Sequence, residues 1–149
     1  MRALAVMLVL GMWLVAAGCG GHHQHAARRT TRATLPRIHE VFTVLPCPQK
    51  PSTTLDFEGC AEHRILRTDA AIERRARAIF ALLRPQPRRA FVTAERSWLA
   101  YRHAACTVEA SKYDGGTASP LVFGDCVAGQ NERHLTELRQ LERYLRSGG

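Results

Sequence analysis

Between residues 61 and 83 the chain sets Ala61, Ile65, Asp69, Ile72, Ala76, Ile79 and Leu83 at steps of four and three residues, and all but Asp69 are apolar. Those steps track the 3.6-residue helical repeat, so the seven side chains share one stripe of a long amphipathic helix. A stripe of this length must be covered by other elements, and no alternating strand pattern or hairpin signal competes for the task. Asp69 adds a second constraint. A carboxylate on a buried stripe needs a cation or hydrogen-bond donors, because burying it alone is costly.

The reading is therefore all-α. The first helix runs from about Leu55 and stops before Arg84-Pro85-Gln86-Pro87, where two prolines interrupt the hydrogen-bond ladder. A second helix carries Phe91, Ala94, Trp98, Tyr101, Ala105 and Val108 on one face and runs to about Tyr113, ended by Asp114-Gly115-Gly116. Ser119 before Pro120 is a start signal for a third helix, with the hydroxyl as cap and the proline in the first turn. That helix continues to about Leu145 with Leu135, Leu138, Leu141 and Leu145 inward, and Gly124 and Gly129 weaken its first half.

An antiparallel arrangement around these breaks levels particular residues. Reflection about the proline break puts Arg102 level with Asp69, which predicts a structural ion pair with the arginine stem along the seam; the competing reading is that both reach solvent. Reflection about the Gly-Gly break puts Cys106 level with Cys126, each about 11–12 Å along its helix from the turn. They form one disulfide and leave Cys47 with Cys60 as the other. Each bridge closes a loop for which chain entropy gives roughly 3 kcal/mol.

The compartment supports disulfides. Met1-Arg2 followed by the apolar run from Ala3 to Ala17 reads as an export signal, too short and too abruptly followed by Gly-Gly-His-His to be a spanning helix. Its ending, Ala16-Ala17-Gly18-Cys19, resembles the lipobox of bacterial lipoprotein signals, which makes Cys19 the lipidated first residue of the mature chain; an ordinary signal with an incidental cysteine is the competing reading. The remaining four cysteines lack the close Cys or His spacing of a metal site, so neither metal nor other cofactor is expected. His22, His23 and His25 read as linker. The organisation is then residues 1–18 signal peptide, 19–46 a flexible basic tether with Arg28, Arg29, Arg32 and Arg37 against Glu40, and 47–149 the helical domain.

With Cys47, Cys60-Ala61, Thr68-Asp69-Ala70-Ala71-Ile72, AERSWLAYRHAAC at residues 94–106, YDGGTASP at 113–120 and Cys126 in this order, the chain resembles the LprI N-terminal-domain family, small exported helical domains named for a lipoprotein regarded as a lysozyme inhibitor. The resemblance spans about Cys47 to Leu145 and implies an α-helical domain with the same disulfide pairing. Five positions depart from the family pattern: His103 follows Arg102 where the family usually has aspartate, Gln130-Asn131 and His134 stand where it usually has Leu-Thr and an arginine, and Glu73 stands where it commonly has asparagine.

No paired carboxylates, activated nucleophile or phosphate-cradling loop stands out, and His103, Glu109 and Ser111 read as helix surface, so an enzyme is not expected. The candidate contact surface is Tyr113, Gly115, Gly116 and Thr117 in the break before the third helix. Two functions fit. One is a lipid-anchored protein of the bacterial cell envelope that inhibits a c-type lysozyme, with the membrane reached through the N-terminal lipid. The other is an envelope module whose arginines, Arg74, Arg75, Arg77, Arg84, Arg88 and Arg89, bind an anionic polymer, a lipid headgroup or another envelope protein. The formal net charge of +8 favours anionic partners, but export excludes nucleic acid as one of them.

Overall fold

The computed structural model describes residues 33–148. Three helices, α1 (Thr54–Leu82), α2 (Pro85–Ala110) and α3 (Ala118–Arg146), with a short 3-10 turn at Ser111–Tyr113, make up its regular structure, and there is no strand among the described residues. The expected signal peptide, Cys19 and the histidines at 22, 23 and 25 lie outside the described residues. No helix of the described chain is long and apolar enough to cross a membrane.

α1 starts where Thr53 and Asp56 cap it reciprocally: the Asp56 N–H donates to the Thr53 hydroxyl at 3.1 Å and the Thr53 N–H to Asp56 Oδ2 at 3.0 Å. Backbone N–H groups of Ser52 and Thr53 hold the Asp56 carboxyl below its usual range. The stripe is buried as the periodicity requires, with Ala61, Ile65, Asp69, Ile72, Ala76 and Ile79 all inside. The proline break is tighter than expected. Pro85 and Pro87 are the opening turn of α2 rather than a connection, which suits a residue with fixed φ and no N–H to lose. Only Leu83 and Arg84 separate the helices. Arg88 reaches back, its Nε donating to the Phe80 carbonyl at 2.8 Å, so one arginine of the basic turn caps the end of α1.

α3 is the element on which the others lean: its closest and longest approach is to α1, a lesser one is to α2, and α1 and α2 approach each other least. Gly124 makes the tight crossing possible, since a Cβ there would sit 3.2 Å from that of Ala61. The glycine-bearing first half of α3 is thus fully helical and buried at Gly124, Cys126, Val127 and Ala128. It begins at Ala118 without a side-chain cap; Ser119 lies inside the first turn and its hydroxyl donates to the Ala110 carbonyl at 3.4 Å.

Two expected faces are corrected. On α2 the inner residues are Phe91, Val92, Glu95, Arg102, Cys106 and Ala110, whereas Tyr101 and Val108 are 61% and 69% exposed and Ala94 faces solvent. Cys106 lies about 140° around the helix from Tyr101, so a helix that turns Cys106 toward Cys126 must turn Tyr101 outward. On α3, Glu142 takes the inner place expected for Leu141, because Arg75 and Arg146 both bond to its carboxylate and hold it below the usual acid range.

Residues 33–46, expected within the flexible tether, instead form an extended strap along the helices. Leu35 and Ile38 pack on the apolar cluster of Ile72, Ile79, Phe91 and Leu135, and Phe42 packs on a second cluster around Ile65, Val127 and the Cys106–Cys126 bridge. Backbone groups of the strap are bonded to α1: the Ile38 N–H donates to Glu73 at 3.1 Å and the Leu45 N–H to Glu62 at 2.6 Å. The strap descends onto Gly59, where a Cβ would stand 2.2 Å from the Pro46 carbonyl oxygen. Gly59→Ala should therefore lift the strap and cost about 1–3 kcal/mol by overpacking, a loss read in urea unfolding; an unchanged midpoint would show that the strap yields without cost.

Candidate functional site

The polar residues that fold inward form a layer between the two apolar clusters. Arg102 on α2 is its centre. Its Nη1 donates to Asp69 Oδ1 of α1 at 3.0 Å and to Asn131 Oδ1 of α3 at 2.8 Å, while its Nη2 donates to Glu40 Oε1 of the strap at 2.5 Å. Asn131 in turn donates to Asp69 at 2.8 Å and to the Thr68 hydroxyl at 2.9 Å. The Asp69–Arg102 pair expected from level positions is present, but it carries two partners that reflection did not supply.

One cation faces two carboxylates here, so the buried group carries a net negative charge when all three are ionised. Burial pushes the Asp69 carboxyl up to about 6; Arg102 pulls it down, and the neighbouring Glu40 carboxylate raises it further. A proton on Asp69 neutralises the layer.

A second inward polar group lies one turn away. His134 Nε2 is 3.2 Å from the buried Glu95 carboxylate, and its ring stacks on Trp98 with centroids 3.8 Å apart. Trp98 is partly buried and also packs against the larger apolar cluster. The sequence reading assigns neither Asn131 nor His134 a partner, since the inner residues it gives α3 begin at Leu135.

The Tyr113, Gly115, Gly116 and Thr117 residues come together on one exposed turn between α2 and α3. Gly115 has φ +79, a left-handed conformation that favours glycine, and the Gly116 N–H closes the turn on the Tyr113 carbonyl at 3.0 Å. Beneath the turn lies a cavity of about 430 Å³ between the strap, α1 and the facing ends of α2 and α3. Phe42, Ile65, Pro120 and Phe123 give it an apolar wall, and Glu58, Glu62 and Asp114 give it carboxylates. Sequence reading missed it, because it is built from four segments no motif connects. Both disulfides, Cys47–Cys60 and Cys106–Cys126, are formed, and Cys60, Cys106 and Cys126 each lie within two residues of a lining residue.

Farther along the same two helices, Arg74, Arg75 and Arg139 line a groove between α1 and α3. Arg77 is paired with Glu73, and Arg75 with Glu142. The Ser111 hydroxyl is engaged with the Val108 carbonyl at 2.8 Å, and His103 meets Phe123 edge-on, so that pair is used in local structure.

The polar layer makes two mutational predictions. Because the folded chain holds the Asp69 proton more tightly than the unfolded chain, this contribution to stability is complete below about pH 4 and is lost as pH rises through about 6. Thermal unfolding of Asp69→Asn should lack that slope, and parallel curves for variant and wild type between pH 4 and 7 would refute it. Arg102→Met leaves two carboxylates unpaired and should cost about 3–5 kcal/mol at neutral pH in urea unfolding.

A family model described as lysozyme inhibitor LprI matches residues 47–138. No curated protein and no solved structure matches the chain.

Proposed function

From the chain's membership of the LprI family we propose that it is a lipid-anchored envelope protein, tethered through Cys19, that binds and inhibits a c-type lysozyme. The observation that carries the proposal is the family match itself, which runs from Cys47 through most of α3 and so includes every helix and both disulfides. An inhibitor acts by occupying its target, so it needs a preformed surface more than reactive groups, and the stapled end of this domain supplies one. The exposed Tyr113–Thr117 turn and the cavity beneath it are the surface assigned to that role. Lipidation would hold the domain at the membrane while peptidoglycan, the enzyme's substrate, lies in front of it.

Charge has to be reconciled with this reading, since c-type lysozymes are generally basic and this chain has a formal charge of +8. At physiological salt the Debye length is about 8 Å, so repulsion between distant surface charges is screened and contacts at the interface decide. The cavity's carboxylates are such contacts. A second reading rests on the groove of Arg74, Arg75 and Arg139, which suits an anionic envelope polymer or headgroup. The two separate by salt dependence.

Titration of the disulfide-bonded protein into a lysozyme cell-wall lysis assay at two salt concentrations, with direct binding measured in parallel, tests both. Saturable inhibition with one-to-one binding that persists at the higher salt is expected. No change in lysis and no binding into the high micromolar range would end the inhibitor reading for that enzyme, and salt-sensitive binding to an anionic polymer would put the arginine groove in its place.

A further inference from the structure

The cavity under the α2–α3 turn differs in charge from the rest of the molecule. The chain is strongly basic, and three other cavities have basic side chains in their walls: Arg37 and Arg77 in one, Arg74, Arg75 and Arg139 in the second, Arg133 in the third. This one has none. Its charged groups are Glu58 and Glu62 on α1 and Asp114 on the turn. Glu62 is buried and fixed by the Leu45 N–H at 2.6 Å. The side chains of Glu58 and Asp114 make no hydrogen bond or ion pair with the described residues, so their charge is directed at whatever enters.

The helix ends around the cavity do not offset that charge. The first turn of α3 would ordinarily favour an anion, but Pro120 has no N–H and the Ser119 N–H is taken by the Gly116 carbonyl at 3.3 Å. The last turn of α2, with its carbonyl ends, contributes Ala110 to the same wall and favours a cation. Between the carboxylates the wall is apolar, with Phe42, Ile65 and Phe123, and Val41 stands at the rim 92% exposed. A volume of about 430 Å³ is near the small end for ligand sites, which run from about 300 to 1,000 Å³.

We propose that this cavity receives one long cationic side chain, arginine or lysine, from a basic protein partner, with the aliphatic stem against Phe42 and Phe123 and the charged head between Glu58 and Asp114. Long cationic side chains bury their stems and hold their heads at polar groups, which matches an apolar wall with carboxylates. That the donor belongs to a lysozyme rests on the inhibitor reading. The preference of the cavity for a cation does not.

The first arm of the test therefore uses small probes on the exported, disulfide-bonded protein. n-Butylguanidinium and n-butylammonium, followed by two-dimensional NMR, should shift the amides of Glu58, Ala110, Asp114 and Phe123 with Kd on the order of 1 mM. The neutral isostere n-butylurea should bind at least tenfold more weakly. The paired substitution Glu58→Gln with Asp114→Asn should remove that preference and leave the fold intact, since neither side chain supports another residue. Equal binding of the urea and the guanidinium, or shifts that map elsewhere, would overturn the proposal.

The second arm measures lysozyme binding by wild type and by the same double variant. A tenfold or greater loss in the variant supports the cavity as the docking point. Undiminished inhibition by the variant would overturn that role while leaving the inhibitor reading in place. Cation-selective probe binding without any lysozyme binding would keep the cavity's chemistry and reject lysozyme as the donor.

Discussion

Arg102 is the residue through which the parts of this domain are referred to one another. Its guanidinium holds Asp69 of α1, Asn131 of α3 and Glu40 of the strap. A group of this kind adds little net stability, because desolvation offsets most of the attraction, but leaving any member unpaired is expensive. Its effect is on register. Sliding α1 or α3 by one turn would push Asp69 or Asn131 into a place now held by an apolar side chain and withdraw it from the Arg102 guanidinium. The apolar clusters supply adhesion on either side, and the polar layer fixes which turn faces which.

The layer also divides the molecule into unlike ends. On one side Ile72, Ile79, Phe91 and Leu138 pack around the tight Leu83–Arg84 turn, and Arg88 closes it by capping α1. On the other, Ile65, Val127 and Ala128 form a smaller cluster that is completed by a disulfide and by Phe42 of the strap. The smaller end needs its staples more, and it is also the end with the cavity. Cross-links and a glycine-dependent strap contact leave its walls little freedom, so a ligand entering there would meet a surface that needs no further ordering.

Much of this was legible in the sequence because it rests on spacing. The α1 stripe, the number of helices and the Cys106–Cys126 bridge all follow from counting residues between turns. Asp69 could be matched to Arg102 because both are level with respect to a break. Rotational phase was less accessible. On α2 the apolar reading favoured Tyr101 and Val108, but Cys106 and Arg102 have fixed partners and turn the helix away from them. The strap reads as tether because Gly, Thr, Pro and Arg dominate its approach, and the pattern that begins at Ile38 to Leu45 is too short to announce the docking of Leu35, Ile38, Glu40 and Phe42. The cavity has no local signature, as its carboxylates come from residues 58, 62 and 114.

Net charge gave the least guidance about the site, and the structure shows why. Five arginines of the described residues are already paired with carboxylates: Arg64 with Asp125, Arg75 and Arg146 with Glu142, Arg77 with Glu73, and Arg102 inside the layer. Exposed pairs of this sort contribute about 0–1 kcal/mol each to stability, but they shorten the reach of the arginines' charge toward an approaching partner. The Glu58 and Asp114 side chains have no such partners among the described residues. A chain of formal charge +8 thus presents two uncommitted carboxylates, Glu58 and Asp114, at one largely apolar cavity, and screening over about 8 Å makes that local sign count for more than the total.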